Sequence, residues 1–120
     1  MSLEMYQQQI LDHYKHPRNF GELTTEHHAR VVNPLCGDEI DFYLEAGNDR
    51  KITQAQFSGR GCTISIAAGS MLTEHLVGQS LEDIIAMKPE DMIKMLGVPV
   101  NPARLKCATL ALEAAQQAAR

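Results

Sequence analysis

Three cysteines, Cys36, Cys62 and Cys107, are spread over most of this 120-residue chain, and each sits in a tight local setting. The sharpest is Ser58-Gly59-Arg60-Gly61-Cys62-Thr63-Ile64-Ser65. A strand-like run stops there, two glycines turn the chain, and Cys62 stands where a helix begins. Asn33-Pro34-Leu35-Cys36-Gly37-Asp38 surrounds another cysteine, and Arg104-Leu105-Lys106-Cys107 precedes the last. No pair has the CxxC spacing of a local metal knuckle, so the chain must fold before these segments can share a site. Bringing three distant segments to one point is the strongest constraint on the architecture.

Each segment carries its own chemistry. Gly59 and Gly61 permit backbone angles and close approaches that a side chain would block, and in a shared site they let backbone crowd a metal. At a helix mouth, free N–H groups and the helix dipole favour an anion, which lowers the pKa of a thiol such as Cys62. Cys36 lies between Pro34 and Gly37, a setting that suits a rigid loop presenting a side chain. Asp38 then offers a carboxylate oxygen to the same metal, or alternatively bonds its own backbone as a turn residue. Arg104 precedes Cys107 by three residues, so on a helix both share a face and the cation supports a thiolate, while Lys106 points elsewhere. Each cysteine also has a plainer reading as a small buried apolar side chain. Three thiolates and one carboxylate make four ligands, enough to close a tetrahedral site. Zinc suits that donor set, and iron–sulfur clusters also prefer thiolates. None of His13, His16, His27, His28 or His75 is expected to be a ligand. His75, the only one on the Cys62 helix, stands about 20 Å along it.

Composition excludes several classes. The formal charge of −4 argues against phosphate neutralisation as the main role, and no nucleic-acid partner is expected. The basic cluster Lys15-His16-Pro17-Arg18 reads as solvated surface or a partner contact. No stretch approaches the roughly 20 apolar residues that span a membrane. Met1 to Ile10 shows no apolar run followed by a cleavage site, so a cytoplasmic setting is expected, with free or metal-bound thiols rather than disulfides. With aromatics at 5% and no Trp, the core of a single domain over residues 1–120 has to be aliphatic and Met-filled.

Hydrophobic periodicity gives the element order. A first helix from Leu3 to Tyr14 places Met5 or Tyr6, Ile10 and Tyr14 on one face and stops before Pro17. A short strand falls within 27–33. Asp38 to Glu45 alternates, with Ile40, Phe42 and Leu44 inward and Asp41, Tyr43 and Glu45 outward. The turn Ala46-Gly47-Asn48-Asp49 leads to a run with Ala55 and Phe57 inward that ends at Gly59. From Thr63 a helix carries Ile64, Ala67, Ala68, Met71, Leu72 and Leu76 and stops near Gly78. Ser80 and Asp83 form a capping-box pattern for a helix facing inward with Ile84, Ile85 and Met87. Pro89 opens a short helix with Met92, Ile93 and Leu96. Asn101-Pro102 caps the last helix, whose stripe is Leu105, Ala108, Leu112 and Ala115, and whose alanines favour helix. Helix, strands, then helices imply an α+β domain with helices over one sheet face.

Taken together, Tyr14-Lys15-His16-Pro17-Arg18-Asn19, Asn33 to Asp38, Gly59 to Ser65 and Lys106-Cys107-Ala108 resemble the U-type iron–sulfur cluster assembly scaffolds, the family with IscU, SufU and NifU N-terminal branches. The resemblance runs over nearly the whole chain in the family's order. It implies an α+β fold in which a small antiparallel three-stranded sheet packs against helices, with the site at one exposed end. It also implies that Cys36, Asp38, Cys62 and Cys107 hold the metal or cluster, with Gly37, Gly59, Gly61, Arg104 and Lys106 as supporting residues. In the family a cysteine desulfurase delivers persulfide sulfur to a scaffold cysteine. A transient [2Fe–2S] cluster is built and passed to acceptor apo-proteins or a carrier.

Two features resemble the SufU branch, which is associated with a zinc-bound sulfur acceptor. Lys106 stands where the IscU branch has a histidine, and Val98-Pro99-Val100-Asn101-Pro102 replaces that branch's Leu-Pro-Pro-Val-Lys chaperone-docking motif. Against this, only 45 positions separate Cys62 from Cys107, without the extra segment usual in SufU-type chains. Three readings follow. The chain is a cluster scaffold or sulfur acceptor rather than an enzyme in its own right, with Cys107 accepting sulfur; or a zinc-dependent relay without a stable cluster, with Cys36 accepting it; or a zinc-stabilised interaction module. A thiol enzyme using Cys62 is disfavoured because no histidine is placed as its base. The oligomeric state stays open.

Overall fold

One residue fixes the end of the sheet at which the cysteines meet. Glu39 pairs with Val32 on one side and with Arg60 on the other. It opens β2 (Glu39–Ala46), which lies between β1 (His27–Val32) and β3 (Ile52–Arg60) in an all-antiparallel sheet of order β1-β2-β3. The end of β1, the start of β2 and the end of β3 therefore coincide. The loop carrying Cys36 and the Gly61-Cys62 turn leave the sheet side by side.

The computed structural model describes residues 2–120; Met1, included in the expected domain span, lies outside the described residues. Before the sheet comes α1 (Leu3–Lys15), and after it α2 (Thr63–Leu76), α3 (Leu81–Ala86), α4 (Pro89–Leu96), a 3-10 turn (Pro102–Arg104) and α5 (Leu105–Ala119). Ile40, Phe42 and Leu44 project from one face of β2 and are fully buried. Helix α2 lies between α1, β3 and α5, and α5 crosses β1 and β2. The approach of α2 to the sheet is close: a Cβ on Gly69 would lie 2.7 Å from the Phe57 ring. Ala108, Ala111, Ala114 and Ala115 let α5 lie equally deep. The remaining core is aliphatic with buried Met71 and Met92, as the lack of aromatics requires.

Local signals set the helix ends. Ser80 and Asp83 bond reciprocally at the start of α3, and Asn101 accepts a bond from the Ala103 amide at 2.9 Å. Such caps are each worth about 1 kcal/mol. Pro89 starts α4, and Gly97, at φ +73, ends it.

The structure differs from the sequence expectations at several side chains. On α1, Tyr14 is exposed and His13 takes the buried place below Ile10, because Ser70 offers its ring Nδ1 a partner at 2.6 Å. Ile85 is exposed because α3 is six residues long and reaches the core only through Leu81 and Ile84. Leu105 is also exposed; it is the first residue of α5, and the buried part of the helix begins at Cys107. Asp41 and Tyr43 point away from the core as expected, yet are buried. Their neighbours on β1 cover them: the His28 ring stacks on Tyr43 at 4.4 Å, and Arg30 Nε donates to both Asp41 oxygens at 3.0 and 3.1 Å.

Candidate metal and sulfur centre

The β1–β2 loop is closed by its own backbone. The Asn33 amide donates to the Asp38 carbonyl and the Gly37 amide to the Asn33 carbonyl, each at 2.8 Å. The Asn33 side chain accepts from the Leu35 amide at 3.1 Å, and Gly37 makes the left-handed turn at φ +77. This bracing leaves Cys36 exposed at the loop tip and turns Asp38 inward, where it is 7% exposed.

Across from this loop, Cys62 is the N-cap of α2, but its side chain makes no capping bond, and the first turn of α2 carries no acidic residue. The missing negative charge arrives from the loop. Asp38 Oδ2 accepts from the Ser65 hydroxyl at 2.7 Å and from the Cys62 amide at 3.4 Å. A carboxylate at a helix N-terminus is favoured by the free amides and the dipole. Asp38 is therefore not the self-bonded turn residue that its position in a tight loop also allowed.

Helix α5 supplies the third wall. Its Cys107 is 5% exposed, and ligand atoms of Cys36, Asp38 and Cys107 all lie within 4.8 Å of one another. Cys62 stands outside that trio and is joined to it through Ser65, whose hydroxyl lies 3.6 Å from Cys62 Sγ and bonds Asp38. Exposure falls from Cys36 through Cys62 to Cys107. Three soft sulfurs and one oxygen from three separate segments suit zinc or a thiolate-held iron cluster.

Burial works against ionising all of these groups, and hydrogen bonds decide which of them ionise. Burial raises the Asp38 pKa, but the Ser65 hydroxyl, the Cys62 amide and the Cys36 and Cys107 thiols outweigh it and hold the carboxyl below its usual range. Burial likewise opposes a Cys62 thiolate. The Ser65 backbone and hydroxyl, the Cys107 thiol and the Ile64 backbone outweigh that, so the Cys62 thiol is lowered. The Cys107 thiol is pushed up to about 12, first by burial, then by Cys62 and the nearby charges of Asp38 and Cys36. In the metal-free protein Cys107 therefore holds its proton more firmly than Cys62 does. A bound cation reverses this, because coordination deprotonates a thiol.

Residues 5–120 match the family described as "NifU-like N terminal domain". The chain belongs to that family. It is 35% identical to the zinc-dependent sulfurtransferase SufU of Bacillus subtilis, over 94% of this chain and 88% of that one. It is 37% identical to the iron–sulfur cluster assembly scaffold protein IscU of Rickettsia prowazekii, again over 94% and 88%. The first of these alignments runs to 130 positions, longer than this chain, so the SufU relative carries residues that are absent here. In fold it is similar to an iron–sulfur cluster assembly scaffold protein of the SUF system from Fervidobacterium islandicum, with a TM-score of 0.78, 24% identity and full coverage of both chains.

In this NifU-like domain the glycines before Cys62 have different duties. A Cβ on Gly61 would lie 3.0 Å from both Asp38 Cγ and Ser65 Cβ, so its bareness makes room for the carboxylate. Gly59, at φ +137, instead crowds the sheet: a Cβ there would lie 2.1 Å from the Glu39 carbonyl oxygen. Of the two glycines expected to let backbone crowd the site, Gly61 lies against Asp38 and Gly59 against the β2 backbone. Arg104 lies in the 3-10 turn and not on α5 beside Cys107, and both Arg104 and Lys106 are exposed. The histidines form other bonds, His13 to Ser70, His27 to the Ala118 carbonyl and His28 to Asp41. Sequence reasoning missed Ser65. The available signal was a hydroxyl three residues after a cysteine at the N-cap, a residue type with only a weak capping acceptor.

Proposed function

We propose that this chain acts, as one domain over residues 1–120, in iron–sulfur cluster assembly. It takes persulfide sulfur from a cysteine desulfurase and assembles it with iron, or relays it, for delivery to acceptor apo-proteins. Cys36, Asp38, Cys62 and Cys107 hold the cargo, with Arg104 and Lys106 supplying positive charge nearby. The observation that carries this reading is the convergence of Cys36, Asp38 and Cys107 donor atoms within 4.8 Å, with Cys62 Sγ 3.6 Å from the Ser65 hydroxyl that bonds Asp38. The names of the IscU and SufU relatives support it.

The exposure gradient gives an order of events. Cys36 is the thiol a partner's sulfur can reach. Its thiolate attacks the terminal sulfur of the desulfurase persulfide; that S–S bond breaks, the desulfurase thiolate leaves, and Cys36 carries the new persulfide. No electrons are consumed in this exchange. Conversion of the carried sulfur to sulfide takes two electrons from a partner reductant. The chain binds and presents and does not turn over a substrate by itself. Asp38, the single hard ligand among soft ones, is the weak point through which cargo leaves.

Protein purified without oxygen and assayed for metal and acid-labile sulfide tests the occupant: iron with sulfide supports a scaffold, and zinc alone supports a relay. Mass-spectrometric mapping after incubation with a cysteine desulfurase tests the sulfur step. Sulfur on none of the three cysteines overturns the proposal. The exposure of Cys36 together with Lys106 favours, as a second reading, the zinc-dependent relay with Cys36 as acceptor over a scaffold that accepts sulfur at Cys107.

A further inference from the structure

Ser65 is fully buried in the first turn of α2 and touches three of the four proposed ligands. Its hydroxyl donates to Asp38 Oδ2 at 2.7 Å, lies 3.6 Å from Cys62 Sγ, and is 3.3 Å from the Cys107 carbonyl oxygen. A hydroxyl has one proton to give. The charged acceptor at the shortest distance takes it, since an O–H bonded to a carboxylate is roughly twice as strong as a neutral pair. The Cys107 carbonyl and the Cys62 sulfur are then secondary contacts of the hydroxyl. At this position a polar side chain usually reaches back to the amide of its own N-cap. Ser65 instead serves a carboxylate 27 residues away.

We propose that Ser65 is the positioning residue of the centre: by engaging Asp38 Oδ2 it fixes the carboxylate and leaves the other oxygen for the metal or cluster. The Cys62 amide reinforces the same choice, because it also donates to Oδ2. Without the hydroxyl, Asp38 Oδ2 loses its shortest bond, the Cys62 amide stands farther off at 3.4 Å, and the carboxylate is held less firmly. This inference rests on the reading of Asp38 as a ligand, and the two are separable.

The test is zinc affinity by competition with a chromophoric chelator, together with the rate of zinc loss to excess chelator. It compares wild type, Ser65→Ala, Asp38→Ala and the double variant. Hydrogen-bonding partners of metal ligands typically contribute 10- to 100-fold in affinity, so Ser65→Ala is expected to weaken zinc by about that factor. It should add little in the Asp38→Ala background, and Ser65→Thr, which keeps the hydroxyl, should stay near wild type. Equal loss from Ser65→Ala in both backgrounds overturns the inference, because the serine then acts on the fold or on the sulfurs and not through Asp38. Wild-type affinity and release in Ser65→Ala overturn it too. If Asp38→Ala itself binds zinc like wild type, the ligand reading fails first. For a variant that is unfolded without metal, release from the zinc-loaded protein gives the same comparison.

Discussion

Gly61 faces Asp38 so closely that a methyl group on its α-carbon would lie 3.0 Å from the carboxyl carbon. Gly61 has an ordinary backbone angle, so Gly61→Ala strains nothing in the chain itself. The methyl group acts by pushing the carboxylate. Zinc affinity is expected to fall by about 10-fold, the lower end for a displaced ligand support, while the thermal unfolding midpoint of the metal-free protein moves little. Chelator competition and a melting curve on the same sample check both halves.

Gly59→Ala should behave in the opposite way. Its φ of +137 is hard for any L side chain, and its Cβ would lie 2.1 Å from the β2 backbone. Strain of 1–3 kcal/mol adds to a clash that only backbone movement relieves. A loss of about 3 kcal/mol or more is expected in urea unfolding. A variant as stable as wild type would show that β3 leaves the sheet before Gly59.

Asp38→Ala replaces the one carboxylate among thiolate ligands. A reconstituted cluster is expected to last several-fold longer and to transfer more slowly, because release loses its weak point. Visible absorbance over time, with and without an apo-acceptor, measures lifetime and transfer separately. Unchanged values in both assays would remove Asp38 from the release step.

The opposite shifts of the Cys62 and Cys107 thiols predict an order of reactivity in the metal-free protein. With Cys107 pushed up to about 12 and Cys62 lowered, iodoacetamide near pH 7.5 should modify Cys62 at least about 100-fold faster than Cys107, since the thiolate is the nucleophile. The same shifts link stability to pH. Cys107 has a raised pKa, so its stabilising effect is complete below the unfolded thiol value of about 8.5 and is lost as pH climbs towards 12. Cys62 has a lowered pKa, so its contribution is present above the unfolded value and fades as pH falls through the folded one. Zinc should abolish the alkaline part, which unfolding of metal-free and zinc-loaded protein between pH 8 and 11 reveals.

Local pattern carried further than long-range pairing. Ile40, Phe42 and Leu44 announce a buried strand face because each of them needs only its own strand's pleat. Asp41 and Tyr43 become buried through His28 and Arg30, and that depends on a register no single strand encodes. Gly59 and Gly61 look alike in sequence yet serve the sheet and the site respectively, because they flank the last paired residue of β3. Cys36, Asp38 and Cys107, whose donor atoms the fold brings within 4.8 Å of one another, could be named beforehand through their settings and the family resemblance. The Ser65 bond could not, since it joins positions that only the folded sheet brings together. Leu105 has the periodicity of the buried stripe but is the first residue of α5, and periodicity does not say where along a helix the covering core begins.

The triple alignment of Val32, Glu39 and Arg60 has a consequence for fidelity. A slip of one residue in either ladder would swing Ile40, Phe42 and Leu44 into solvent and expel several kcal/mol of burial. The same slip would carry the Cys36 loop or the Gly61-Cys62 turn about 3.3 Å out of place. Misassembled sites are therefore also misfolded proteins. The aliphatic core proofreads the spacing of the sulfurs, and a chain that has packed correctly has already measured the distance between its ligands.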